Sequence, residues 1–126
     1  MNHFRSTETD CRSSGTFPPV HPIQGHPLLH EAAQIHADDM VENDFFTHQG
    51  SDGSSFSQRI QRVGYPGFPV GENIAAGGND AAHIVQRWIN SDGHCANIMN
   101  GSAGHFGLGF AEGGPWGSYW VLKLAN

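Results

Sequence analysis

The sequence predicts an α+β fold: an α-β-α sandwich in which helices cover a small antiparallel sheet. Three observations carry this reading. Residues 27–43 hold a helix-period apolar stripe, and two further helical patterns begin at Ser55 and Asp80. The chain then ends on two alternating runs separated by Gly113-Gly114-Pro115, which read as an antiparallel hairpin. Helices first and a hairpin last is the order expected of helices packed on a small sheet.

Taken in order, residues 1–26 read as an extended, irregular leader, because Pro18-Pro19, Pro22 and Gly25 oppose a helix. Pro27 suits the first position of a helix running to about Asn43. Leu29, Ala32, Ala33, His36 and Met40 form its buried stripe, with Glu31, Gln34, Asp38 and Glu42 outside. Phe45 and Phe46 anchor the turn that presents His48. Ser55 and Gln58 make a capping-box pattern for a helix over 55–63 that buries Phe56, Ile60 and Val63 and stops at Gly64. A loop with Pro66, Gly67 and Pro69 leads to a short strand over Glu72–Ala75. Asp80 is a good N-cap for a helix to Asn90 that buries Ala81, Ile84, Val85 and Trp88. One helical turn fits between Gly93 and Met99. Helix 28–43 is expected on one side of the sheet, with helices 55–63 and 80–90 on the other. Trp88, Ile60, Leu108 and Trp120 are expected to be buried.

At 126 residues the chain makes one domain, able to bury roughly two-thirds of its unfolded surface. The net charge is −6 with histidine neutral, and the six basic residues form no run or stripe. Nucleic acid and anionic membranes are therefore poor partners. No stretch has the roughly 18 consecutive apolar residues of a membrane helix. Met1–Ser6 lacks the apolar core of a signal peptide, so the chain reads as either cytosolic or a mature form with a new initiator methionine. Cys11 and Cys95 are the only cysteines, and their number and spacing alone leave a disulfide and two unrelated thiols equally open.

Three separated runs offer polar groups beside glycines and large apolar residues: Phe45-Phe46-Thr47-His48-Gln49-Gly50, Gly71-Glu72-Asn73-Ile74-Ala75-Ala76-Gly77 and Ser91-Asp92-Gly93-His94-Cys95-Ala96-Asn97-Ile98-Met99. With Ala33-x-x-His36-Ala37-x-Asp39-Met40, Arg59-Ile60, Gly64-Tyr65, Trp88 and Gly107-Leu108-Gly109, they resemble, in order, the signature segments of the CAP superfamily. That group takes in cysteine-rich secretory proteins, antigen 5 and class 1 pathogenesis-related proteins, and the match is best to small bacterial secreted members. The resemblance implies a single such domain over 27–126. It also implies a Cys11–Cys95 disulfide tying the leader, and hence an oxidising, secreted or periplasmic location.

The resemblance further implies a cleft in which His48, Glu72 and His94 converge. The family's second glutamate, just past the tryptophan of the 80–90 helix, is missing: Ile89, Asn90 and Ser91 stand there, with Asp92 the nearest acid. Two neutral imidazoles, His48 and His94, can hold zinc with open positions, though weakly without a third protein ligand. Glu72 either orients such a ligand or hydrogen-bonds the loops. Other sites fail on spacing. His30-Glu31 lacks the zinc-peptidase histidine, and His30 and His36 lie about 240° apart around a helix. Asp38, Asp39, Glu42 and Asp44 lack calcium-loop spacing, and no Gly-x-Ser-x-Gly elbow exists. The expected function is a secreted, monomeric binding or interaction module for a small molecule, peptide, lipid or divalent metal. A metal-assisted or acid/base hydrolase using His48, Glu72 and His94 is the alternative. A structural, envelope-associated role with a vestigial cleft is the third.

Overall fold

A computed structural model describes residues 1–126. Helices α1 (Asn2–Arg5), α2 (Pro27–Glu42), α3 (Phe56–Arg62), α4 (Ala81–Ile89) and α5 (Asp92–Ile98) surround the strands. Strands β1 (Thr9–Asp10) and β2 (Thr16–Phe17) form a small ribbon. Strands β3 (Gln24–Gly25), β4 (Pro69–Ala76), β5 (His105–Glu112) and β6 (Ser118–Ala125) form the central sheet in the order β3-β5-β6-β4. Three strands pair antiparallel as expected, while the two-residue β3 adds parallel to β5.

Local chemistry accounts for the helix ends. Pro27 opens α2, and the His26 ring Nδ1 accepts from the Leu28 amide at 3.1 Å. Ser55 and Gln58 form the full capping box of α3, and the Asp80 side chain caps α4. The predicted stripe of α2 is buried, with Ala37 added. Trp88, Ile60 and Trp120 are buried, while Leu108 is only half-buried. Ala81 is exposed and Ile89 takes its expected place in the core.

The sandwich forms with one helix on the unexpected side. Leu29 and Ala32 of α2 pack with Ile60 of α3 and Ala125, so α3 shares the α2 face. Sheet residues Ile74, Tyr119 and Val121 meet α2 on that same face. The opposite face of the sheet, with Ala75, Trp120, Leu122 and Leu124, packs against α4, α5 and Ile23. A seven-residue helix with one apolar stripe carries no local signal for which face it joins.

Residues 1–26 are not the irregular leader expected. The prolines bar a helix only from residue 18 onward, and α1 forms before them. Arg5 is fully buried. Its guanidinium donates to the carbonyls of Ile98 at 2.8 Å, Asn100 at 3.0 Å, Ala103 at 3.1 Å and His21 at 2.8 Å. The Cys11–Cys95 disulfide is present, and both residues are buried in the α4–α5 core.

Both edges of the sheet are covered by side chains. On β5, the His30 Nδ1 accepts from the Leu108 amide and Gln34 bonds both backbone groups of Phe110. The sequence places Gln34 toward solvent; it caps an edge strand instead. On β4, Asn97 donates to the Glu72 carbonyl, Trp88 to Ile74 and Arg87 to Ala76. Covered edges resist strand addition.

Gly107 and Gly109 let α2 lie directly on β5. A Cβ at Gly107 would overlap the Leu29 backbone, and one at Gly109 the Ala33 backbone. Neither obstacle is a flexible side chain. Gly109→Ala is expected to lower stability by about 1–3 kcal/mol through overpacking, read as a shift in urea midpoint. A midpoint within error of wild type would show that α2 is not seated on this strand.

Candidate functional site

His48 lies on the turn after α2, and its backbone is clamped from two directions. The buried His36 ring Nε2 donates to the Thr47 carbonyl at 2.8 Å, and Arg59 Nη2 donates to the His48 carbonyl at 2.6 Å. His36 is held neutral chiefly by burial, which fits its Nδ1 lacking any partner. The His48 side chain is half exposed, and its Nδ1 donates to Glu72 Oε1 at 2.8 Å.

Glu72 sits on β4 with its side chain almost wholly buried among three partners. Besides His48, Arg59 Nη2 reaches Oε2 at 3.2 Å and Lys123 Nζ forms an ion pair with the same oxygen. Burial by itself would push the Glu72 carboxyl up. The His48 hydrogen bond and the charge and hydrogen bond of Lys123 outweigh it and bring the pKa down to about 2. Lys123, fully buried on β6, is drawn down to about 8 chiefly by desolvation, with Glu72 opposing. Glu72 is therefore a carboxylate at every ordinary pH.

His94 arrives from the other side of β4. Asn73 donates to the His94 carbonyl at 3.1 Å, and Asn97 donates to Asn73 Oδ1 at 2.8 Å, which fixes α5 on the strand. The His94 Nδ1 pairs with Ser91 Oγ at 2.9 Å. Burial, then the nearby His48 charge, lower the His94 pKa and favour its neutral ring. Alternation along β4 turns Glu72 toward Arg59 and Lys123 and Asn73 toward α5. The two histidines thus flank the outer edge of β4, and only His48 contacts Glu72. No group of three or more His, Cys, Asp or Glu side chains converges in metal-binding geometry.

Asp92, the nearest acid to the missing family glutamate, turns away. Arg12 Nε holds it at 2.6 Å, and Ser13 bonds it through both amide and hydroxyl. Beside His94 lies a cavity of about 260 Å³ walled by Phe46, Ile74 and Trp88, with Arg87 and Ser91 at its polar side. A hollow of about 560 Å³ between α2 and α3 is lined by Glu31, Asp38, Glu42 and the Asp52–Arg62 pair and contains neither histidine. Its carboxylates form a solvated face.

A profile of the Cysteine-rich secretory protein family, CAP, matches residues 2–124. The chain belongs to the CAP family. The chain is also similar to the uncharacterized protein YkwD of Bacillus subtilis (strain 168), 33% identical over 82% of this chain and 39% of that protein. The uncharacterized membrane protein YlbC of the same organism is 36% identical over 63% of this chain and 23% of its own length. The CAP domain thus spans less than half the length of these curated relatives. Among solved structures, an extracellular protein containing an SCP domain from Bacillus anthracis str. Ames superposes with a TM-score of 0.72. It is 26% identical, with 85% of this chain and 35% of that one covered. An outer surface protein from Borrelia burgdorferi shares the fold, with a TM-score of 0.75 at 20% identity over 85% and 79% of the two chains. No helix of the CAP domain is long and apolar enough to cross a membrane.

Of the three residues named from the sequence, the structure joins His48 to Glu72 and holds His94 separately with Ser91, and sequence reasoning misses what holds each of them. Arg59 and Lys123 were not linked to Glu72, nor Asn73 and Asn97 to the His94 segment. One signal was available: Lys123 interrupts Val121-Leu122-Lys123-Leu124, and a lysine inside a buried strand requires a carboxylate partner.

Proposed function

We propose that this CAP domain is a secreted, non-enzymatic ligand-binding module whose cleft lies along the outer edge of β4, between His48 and His94. One observation carries the reading: the only carboxylate at the cleft, Glu72, is buried and consumed by Arg59, Lys123 and His48. A carboxylate with a pKa of about 2 neither donates nor accepts protons usefully near neutral pH. With Asp92 bound to Arg12 and Ser13, no second carboxylate replaces it. The hydrolase alternative therefore lacks its acid/base pair. The buried disulfide supports a secreted location, as does the likeness to an extracellular SCP-domain protein.

The donor set fits weak zinc binding. Both Nδ1 atoms are occupied, His48 by a carboxylate and His94 by a hydroxyl, which leaves each Nε2 available to a ligand. His48 and His94 would hold the ion, and the ion would supply a Lewis-acid anchor for a ligand's acceptor atom. Titration calorimetry with zinc at pH 7.5 is expected to show weak binding by wild type and none by His48→Ala or His94→Ala. Equal binding by all three proteins would place the metal elsewhere. A panel of peptides and esters is expected to remain unhydrolysed. Turnover abolished by His48→Ala would overturn the non-enzymatic reading in favour of the hydrolase.

A further inference from the structure

We propose that the cavity beside the outer edge of β4 binds a carboxylate carried on a small apolar group. The inference rests on reading this cleft as a ligand site and names the chemistry of the ligand. Three features of the cavity converge on it.

The first is an edge that has donors and no acceptors. The Gly77 amide bonds the Ser118 carbonyl at 2.9 Å, so alternation along the β4–β6 pair turns the backbone groups of Glu72, Ile74 and Ala76 outward. All three outward carbonyls are taken: by Asn97 at 3.4 Å, Trp88 Nε1 at 3.0 Å and Arg87 Nη2 at 3.1 Å. The outward amides of Ile74 and Ala76 bond no other element. An added peptide strand needs both kinds of group, whereas a carboxylate needs donors alone.

The second is a cation without an acid. The ion pairs of the domain engage Arg12, Arg59, Arg62 and Lys123. Arg5 is enclosed by carbonyls in the core. Arg87 alone is exposed and unpaired, although the chain carries twelve acidic residues. Its guanidinium bonds the Ala76 and Gly77 carbonyls, which aims it along the cavity wall and leaves three of its five N–H groups free.

The third is the wall. Phe46, Ile74 and Trp88 line a volume of about 260 Å³, below the roughly 300–1,000 Å³ of drug-sized pockets. A cavity of about 150 Å³ holds benzene, so this volume suits one substituted aromatic ring or a short acyl chain. Short acyl chains and the C-terminal residue of a peptide share this chemistry, and the probes separate them.

The test titrates wild type, with EDTA present to exclude metal, with octanoate and with N-acetylphenylalanine. 1-Octanol and N-acetylphenylalaninamide are the neutral counterparts. Amide chemical shifts of Ile74 and Ala76 and the indole Nε1–H shift of Trp88 report binding. Each carboxylate that fits is expected to bind about tenfold tighter than its neutral counterpart, the scale of one charge-assisted contact. Arg87→Gln is expected to erase that preference, and Arg87→Lys to keep most of it. Preference for octanoate alone assigns the site to acyl chains, and for N-acetylphenylalanine alone to peptide C-termini; either supports the inference. Equal binding of carboxylate and neutral probes overturns it while leaving the cleft a ligand site. Binding by none of the four overturns it also, and neither result alters the zinc titration. A carboxylate preference unchanged in folded Arg87→Gln removes Arg87 and the inference together.

Discussion

Glu72→Ala is expected to destabilise the domain by about 3–5 kcal/mol, the cost of leaving buried charges unpaired. Lys123 and Arg59 both end on Glu72, and neither can reach solvent from its buried position. The carboxylate is therefore the counter-charge that two buried cations of the fold depend on. Glu72→Gln keeps the shape and removes the charge, so it should cost nearly as much. Adding Lys123→Met to Glu72→Gln should recover part of the loss, because an apolar side chain needs no counter-ion. Chemical denaturation of the three variants measures this directly. A Glu72→Gln midpoint equal to wild type would mean the network contributes nothing.

The same group sets the acid limit. Its folded pKa of about 2 lies below the ordinary 4.5. The stability it supplies is therefore complete above about 4.5 and is lost as pH falls toward 2. The full loss is about 3 kcal/mol at about 1.4 kcal/mol per pKa unit. Asp52 and Asp92 also have lowered pKa values, from hydrogen bonds to Ser54 and Ser13 respectively, but both are exposed and solvent screens them. In Glu72→Gln the slope of stability against pH between 4.5 and 2 should flatten.

Replacing both cysteines by alanine is expected to cost about 4–5 kcal/mol, the chain-entropy value for a bridge across 84 residues. The bridge joins the N-terminal segment to α5, beside His94. Arg5 and Arg12 reinforce that junction through the Ile98, Asn100, Ala103 and Ile89 carbonyls. The double variant should therefore unfold cooperatively at a lower denaturant concentration rather than release the first 26 residues alone. Denaturation followed by tryptophan fluorescence and by far-ultraviolet circular dichroism tests this. A loss below about 1 kcal/mol, or two separate transitions, would contradict it.

What was legible in the sequence was what neighbouring residues decide. Pro27 starts α2, Ser55 with Gln58 caps α3, and Asp80 caps α4, each within one turn of its own partner. The hairpin of β5 and β6 follows from alternation and glycine chemistry. The illegible parts depend on partners far along the chain. Helix α1 is held by carbonyls some 93 to 98 residues away, and Lys123 meets Glu72 across 51 residues. The face taken by α3, and the turn of Asp92 toward Arg12 and Ser13, are settled by packing that no local pattern records. The family resemblance named the two histidines and Glu72, while the Arg59–Lys123 network around Glu72 and the Asn73–Asn97 bonds that hold the His94 segment emerged only from the fold.

Arg5 also has a consequence for biosynthesis. It leaves the ribosome 98 residues ahead of Ala103, whose carbonyl completes its set of partners. Helix α1 must therefore wait, unplaced, through most of the domain's synthesis, and Cys11 waits for Cys95 in the same way. Such sequence-distant closure slows folding relative to a domain of local contacts. With only two cysteines in the chain, oxidation before residue 95 emerges offers Cys11 no partner within its own domain.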